Sequence, residues 1–214
     1  MFRPADIITA LFSFFLLVLT AFFYNKIPSA PYLILIYASL IFFQVAVVRL
    51  SRLNSFLTLT RDIIFPVISV LIIFESFEWL VHYINPKDID PLLVNLDYLL
   101  FNGYHPTVML EAIQTPILTD LLQIFYSAYY FLPISLGLTL KLNGMNKEFD
   151  KTLFLLLLCF YLSYIGYMLF PALGPRYTMN HLQSSELKGL FAADIIQETL
   201  NRLEGIKRDA FPSG

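Results

Sequence analysis

Long apolar runs constrain this chain more than any motif it carries. They extend from Ile7 to Phe23, Pro31 to Val48, Ile63 to about Tyr83, about Leu118 to Leu140, and Thr152 to about Leu173. At about 1.5 Å of rise per residue, roughly twenty helical residues cover the roughly 30 Å hydrocarbon layer of a bilayer. In that layer a helix satisfies its own backbone, whereas an isolated strand cannot. Composition agrees: 57% of the 214 residues are hydrophobic and 14% are charged, against about a quarter charged in soluble domains. The expected fold is therefore an all-α polytopic transmembrane helix bundle with five spans, and nucleic acid is not an expected partner.

The first run is longer than the h-region of a signal peptide and leads into Phe23-Tyr24-Asn25-Lys26 rather than a small-residue cleavage site. It reads as a retained helix that pairs with the second run in an N-terminal transmembrane hairpin, residues 1–48. Basic residues then give the orientation, because Lys and Arg in short loops resist translocation. Arg49, Arg52 and Arg61 fall between spans two and three, and Lys141, Lys147 and Lys151 between four and five; the opposite loops carry only Lys26 and Lys87. The N-terminus, with Arg3, is expected in the cytoplasm and the region after Phe170 outside it, or in a lumen. Cys159 is the single cysteine, so no internal disulfide forms, and its apolar setting reads as that of a buried structural thiol.

Between spans three and four, residues 85–115 are too polar to cross and too apolar to float free. Leu92, Leu93, Leu96, Leu99, Leu100 and Phe101 recur at helical spacing with Asp90, Asn95 and Asp97 between them, as in interfacial amphipathic helices. Asn102-Gly103 then turns the chain. A second such segment is expected from Ser184 to Lys207.

Two polar signatures follow the last run: Gly174-Pro175-Arg176-Tyr177 and Phe211-Pro212-Ser213-Gly214. An arginine presents a planar fork of donors that matches phosphate oxygens. A Pro-Ser-Gly step supplies a hydroxyl and unhindered backbone N–H groups at a helix start. The charge argument puts both signatures on one membrane face, where together they are expected to form a phosphate pocket.

Tyr167-Met168-Leu169-Phe170-Pro171-Ala172-Leu173-Gly174-Pro175-Arg176, followed by Ala210-Phe211-Pro212-Ser213-Gly214, resembles the first two motifs of the type-2 phosphatidic acid phosphatase superfamily. The match is closer to its inositol phosphorylceramide synthase-like branch. Residues 96–106 and Tyr129-Tyr130-Phe131-Leu132-Pro133 are similar to that branch too, so the resemblance covers residues 63–214 as one lipid phosphatase or phosphotransferase core. It implies a phosphate ester of a membrane lipid as substrate, no cofactor and no metal. It also implies that Arg176, Ser213 and the backbone of Gly214 bind the phosphate. Tyr167, Tyr177, Glu78 and His82 are read as candidates for lining the pocket. In the family two histidines carry the covalent chemistry, one directly after Pro-Ser-Gly and one in a Ser-Arg-x5-His-x3-Asp motif. Neither occurs in residues 1–214, and where the superfamily has a Lys before its Arg this chain has Leu169. The expectation is a chain truncated inside its second motif, short of a sixth span and catalytically inactive, from an active parent enzyme.

Glu75, Glu78 and His82 interrupt the third run at spacings of three and four, which places them on one side of a continuous helix. A metal site, a proton or ion path in a non-enzymatic transporter or scaffold, and a polar entrance to the phosphate pocket are the alternatives; the last accords with the motifs. His105 and His181 read as interfacial or solvated residues without the flanking pattern of a nucleophile.

Overall fold

The computed structural model describes residues 2–174, which contain only helices and the turns between them. In chain order they are α1 (Pro4–Phe22), α2 (Ala30–Leu50), α3 (Ser55–Leu59), a π-helical turn (Thr60–Ile64), α4 (Phe65–Ser76), a 3-10 turn (Phe77–Trp79) and α5 (Val81–Ile84). There follow α6 (Asp90–Leu100), α7 (Pro106–Met109), a further 3-10 turn (Leu110–Ile113), α8 (Pro116–Leu142) and α9 (Asn146–Leu169). Among the described residues, Pro4–Phe22, Ala30–Leu50, Ser55–Trp79 and Asn146–Leu169 are long and apolar enough to cross a bilayer. A fifth span is present when Pro116–Tyr129 and Phe131–Leu142 count as one broken helix. The protein is an all-α integral membrane protein.

The chain forms two compact units. One comprises Met1–Ile89 and Pro133–Ala172; the other takes in Asp90–Leu132 and, of the described residues after Ala172, Leu173 and Gly174. The boundary at Pro133 lies within α8, where proline lacks the N–H of a regular helical hydrogen bond.

In the first unit α1 is the hub, packing on α2, α4 and α9. Its buried stripe of Ala5, Asp6, Thr9, Phe12, Ser13, Leu16 and Thr20 is rich in small residues, which let helix backbones approach closely in a membrane. The facing stripe of α2, Ala30, Leu33, Tyr37, Leu40, Gln44 and Val48, repeats at three and four residues. Several polar groups in these seams are paired: Tyr161 donates to Thr9 Oγ1 at 3.0 Å, Tyr164 to the Val70 carbonyl at 3.0 Å, and Tyr37 shares a 2.8 Å bond with Ser76, whereas the buried Ser13 hydroxyl has no partner among the described residues. Phe12 stacks on Tyr161 with ring centroids 4.5 Å apart.

An ion cluster closes one end of this unit. Arg3 Nη1 donates to Asp62 at 2.7 Å and to Asp150 at 3.0 Å, and its backbone N–H donates to Asp6 at 2.8 Å. Arg61 also grips Asp6, and Lys141 Nζ stands 2.5 Å from Asp62 Oδ2. Three cations thus balance three carboxylates, Asp6 from α1, Asp62 from the π-helical turn and Asp150 from α9, with Lys141 supplied by α8. Asp6 and Asp62 are only 4% and 3% exposed, a position that charged groups tolerate at membrane depth when paired. Burial disfavours the Arg3 charge, but the carboxylates of Asp6, Asp62 and Asp150 outweigh it and raise its pKa above the ordinary value. Arg3, Arg61 and Lys141, read in the sequence as markers of one membrane face, therefore meet at one end of the bundle.

Two expectations need correction here. The third span starts at Ser55 rather than Ile63, because Asn54 caps it by accepting from the Leu57 N–H at 2.8 Å. Arg61 and Asp62, which look like loop residues, are held inside the bundle by their ion pairs. Cys159 is exposed on α9 rather than buried. On a helix apolar all round, sequence alone does not distinguish the packed side from the lipid side.

In the second unit α6 leaves Leu92, Leu93, Leu96, Leu99 and Leu100 exposed, as an interfacial helix requires. It ends in a left-handed pair, Asn102 at φ 54° and Gly103 at φ 89°, with the Gly103 N–H bonded to the Tyr98 carbonyl at 2.8 Å. The amphipathic segment expected from Ser184 to Lys207 lies outside the described residues.

Candidate phosphate site

The loop that leads to Gly174-Pro175-Arg176 is shaped by the end of α9. The helix stops at Leu169 because Phe170 precedes a proline, which disfavours helical geometry; Phe170 adopts φ −132° and ψ 69°. Within the first unit, Asn85 Nδ2 donates to the Leu169 carbonyl at 2.9 Å and the Met168 carbonyl at 3.3 Å. These are acceptors that a helix end leaves without intrahelical partners. The Pro171 carbonyl accepts from the Ile89 N–H at 2.8 Å.

Within the second unit, Asp90 holds the next two residues. Its Oδ2 accepts from the Leu173 N–H at 2.8 Å and its Oδ1 from the Gly174 N–H at 2.7 Å. The side chain is almost fully buried, with the residue 4% exposed. Gly174 has φ 92°, a left-handed conformation that costs glycine little and an L side chain much more. One carboxylate thus fixes the two amides immediately before Pro175-Arg176. Sequence periodicity alone puts Asp90 among the polar residues of an amphipathic helix; its burial corrects that. The available signal was an Asp-Pro step opening a helix, but the partner amides are 83 and 84 residues away.

Arg176, Tyr177, His181, Ser213 and Gly214 lie outside the described residues. Tyr167 is half-buried on α9, its ring centroid 6.2 Å from that of Phe77. Glu75 is exposed on α4, and Glu78 is half-buried in the 3-10 turn that follows. His82 lies on α5 with Nε2 3.5 Å from Asp88 Oδ1. The continuous helix expected to carry these three is broken between Glu78 and His82 by the 3-10 turn and by Leu80 at φ −118°. Among the described residues no three His, Cys, Asp or Glu side chains are grouped to hold a metal ion. His105 occupies the N-cap position of α7, its ring 5.3 Å from that of Tyr98.

The family model of the PAP2 superfamily matches residues 92–211, more than half of the chain. The match runs from α6 through α8 and α9 and across Gly174-Pro175-Arg176 to Phe211. The chain belongs to the PAP2 superfamily. PAP2 membership brings phosphatase-type chemistry on lipid phosphates in membranes, and a membrane bundle is a suitable platform for it. Asp90 stands two residues before the PAP2 match begins. No curated protein and no solved structure matches the chain.

Proposed function

We propose that the protein is part of a membrane lipid phosphatase or phosphotransferase of the inositol phosphorylceramide synthase-like kind. It acts at the extracytoplasmic or lumenal face through a phosphohistidine intermediate. In this reading Arg176 clamps two phosphate oxygens and neutralises charge that builds up in the transition state. Ser213 and the backbone of Gly214 donate to the same group. Phosphoryl transfer depends mainly on such positioning and electrostatic stabilisation.

The observation that carries the proposal is the PAP2 match across Gly174-Pro175-Arg176, reached by a loop that Asp90 grips at Leu173 and Gly174. The choice of face is supported by α9, which has Asp150 of the ion cluster near its start and the motif beyond its far end. At about 1.5 Å per residue, its 24 residues cover a bilayer core. With the basic cluster cytoplasmic, the motif is on the other side.

Residues 1–214 contain neither a His after Pro-Ser-Gly nor a Ser-Arg-x5-His-x3-Asp motif; in this reading the segment assayed by itself binds lipid phosphate without turning it over. The test compares the complete gene product with the purified segment 1–214, both in phosphatidylcholine vesicles containing phosphatidic acid, by phosphate release and by radiolabelled lipid binding. Turnover by the complete product and binding alone by the segment are expected. Hydrolysis by the segment refutes its inactivity, and absence of turnover and of binding in both preparations refutes the lipid-phosphate assignment. Transfer to phosphatidylinositol or ceramide acceptors separates synthase from phosphatase.

A further inference from the structure

Asp90 invites explanation because a carboxylate is expensive to bury, and among the described residues its side chain bonds to two neutral backbone amides. Both oxygens are engaged, at 2.8 Å from Leu173 N and 2.7 Å from Gly174 N. Hydrogen bonds to a charged acceptor are about twice as strong as neutral ones and strongly directional. Two of them from consecutive residues define both the position and the orientation of the peptide between Leu173 and Gly174. Gly174 is held at φ 92°, and the next two residues in the chain are Pro175, whose ring limits its own rotation, and Arg176. Few soft torsions remain between the anchored amides and the arginine backbone.

We infer that Asp90 is a positioning residue for phosphoryl transfer: its buried carboxylate sets the backbone turn from which Arg176 reaches the lipid phosphate. The inference rests on the proposed role of Arg176. Asp90 acts through backbone geometry and does not touch the substrate. Small displacements of a charge clamp matter because its value lies in complementarity to the transition state. The effect of losing Asp90 therefore falls on kcat more than on KM.

The experiment is a double-mutant cycle in the complete gene product, with Asp90→Asn, Arg176→Lys and both together, assayed on phosphatidic acid in mixed micelles. Asn has the shape of Asp but presents one donor group toward an N–H, so one bond is replaced by a donor-donor contact. Expected is a tenfold to hundredfold fall in kcat with KM within about threefold and the detergent unfolding midpoint little changed. In the Arg176→Lys background the same substitution should cost less than about threefold, since the group it positions is already impaired. Asp90→Glu, which retains the charge, should recover part of the loss. Gly174→Ala provides an independent variant: its added Cβ meets nothing within 4 Å among the described residues but strains the turn at φ 92°, and it should reproduce the kcat defect.

Wild-type kcat in a folded Asp90→Asn protein overturns the inference, as does a full Asp90→Asn loss in the Arg176→Lys background. If Asp90→Asn does not fold, Gly174→Ala decides, and wild-type turnover there overturns it. Wild-type turnover in Arg176→Lys instead brings down the underlying role of Arg176. Loss in Arg176→Lys alone leaves that role standing and removes Asp90.

Discussion

Replacing Asp62 by Asn tests the ion cluster most sharply, because the change alters charge with almost no change of shape. Asp62 is 3% exposed and pairs with Arg3 at 2.7 Å and Lys141 at 2.5 Å. After the substitution Arg3 retains Asp6 and Asp150, while Lys141 loses its carboxylate and keeps a cation–π contact with Phe149 at 5.0 Å. Breaking a fully buried pair costs about 3–5 kcal/mol. The Arg3 and Lys141 side chains are 15% and 31% exposed, so partial screening lowers the expected loss to about 2–3 kcal/mol. Unfolding of the purified protein in mixed micelles by increasing SDS, followed by circular dichroism, measures it. Adding Lys141→Met removes the stranded cation and should return about 1 kcal/mol, a coupling that distant sites do not show. If Asp62→Asn unfolds within about 0.5 kcal/mol of wild type, as an ordinary surface substitution does, the cluster is not a stabilising element and the reasoning fails.

Arg176→Lys in the complete gene product should lower turnover about a hundredfold or more with little change in expression, since an ammonium lacks the two-pronged geometry; phosphate release checks it. Tyr161→Phe removes the bond to Thr9 but retains the stack on Phe12. Because Thr9 still donates to the Ala5 carbonyl at 3.0 Å, SDS unfolding should report a loss of about 0.6 kcal/mol, typical of such bonds between membrane helices. Cys159, exposed on a membrane helix, should react with an apolar maleimide dissolved in the bilayer and resist a charged, impermeant one; equal labelling by both would place it in water.

The sequence was informative wherever burial is decided locally. Uniformly apolar runs located the spans, and the Leu92 to Leu100 periodicity located α6 with its exposed leucines. It was uninformative where a residue's role depends on a distant partner. Arg61 and Asp62 look like loop residues until Arg3, Asp6 and Lys141 are brought to them, and hydropathy alone therefore starts the third span later than Ser55. The side of α9 on which Cys159 lies depends on which neighbours pack there. In the candidate site, Gly174-Pro175-Arg176 was legible as a motif because it is contiguous, whereas Asp90 was not, since its chemistry is completed by amides 83 and 84 positions later.

That separation has a consequence for biogenesis. At a synthesis rate of about 5–20 residues per second, the 83 residues from Asp90 to Leu173 emerge over roughly 4–17 seconds. Throughout that interval the carboxylate has no amides to receive it and must stay hydrated at the membrane surface. It can be withdrawn from water only after α9 has left the ribosome. The arginine loop is therefore latched late, when the helices that precede it have already been made.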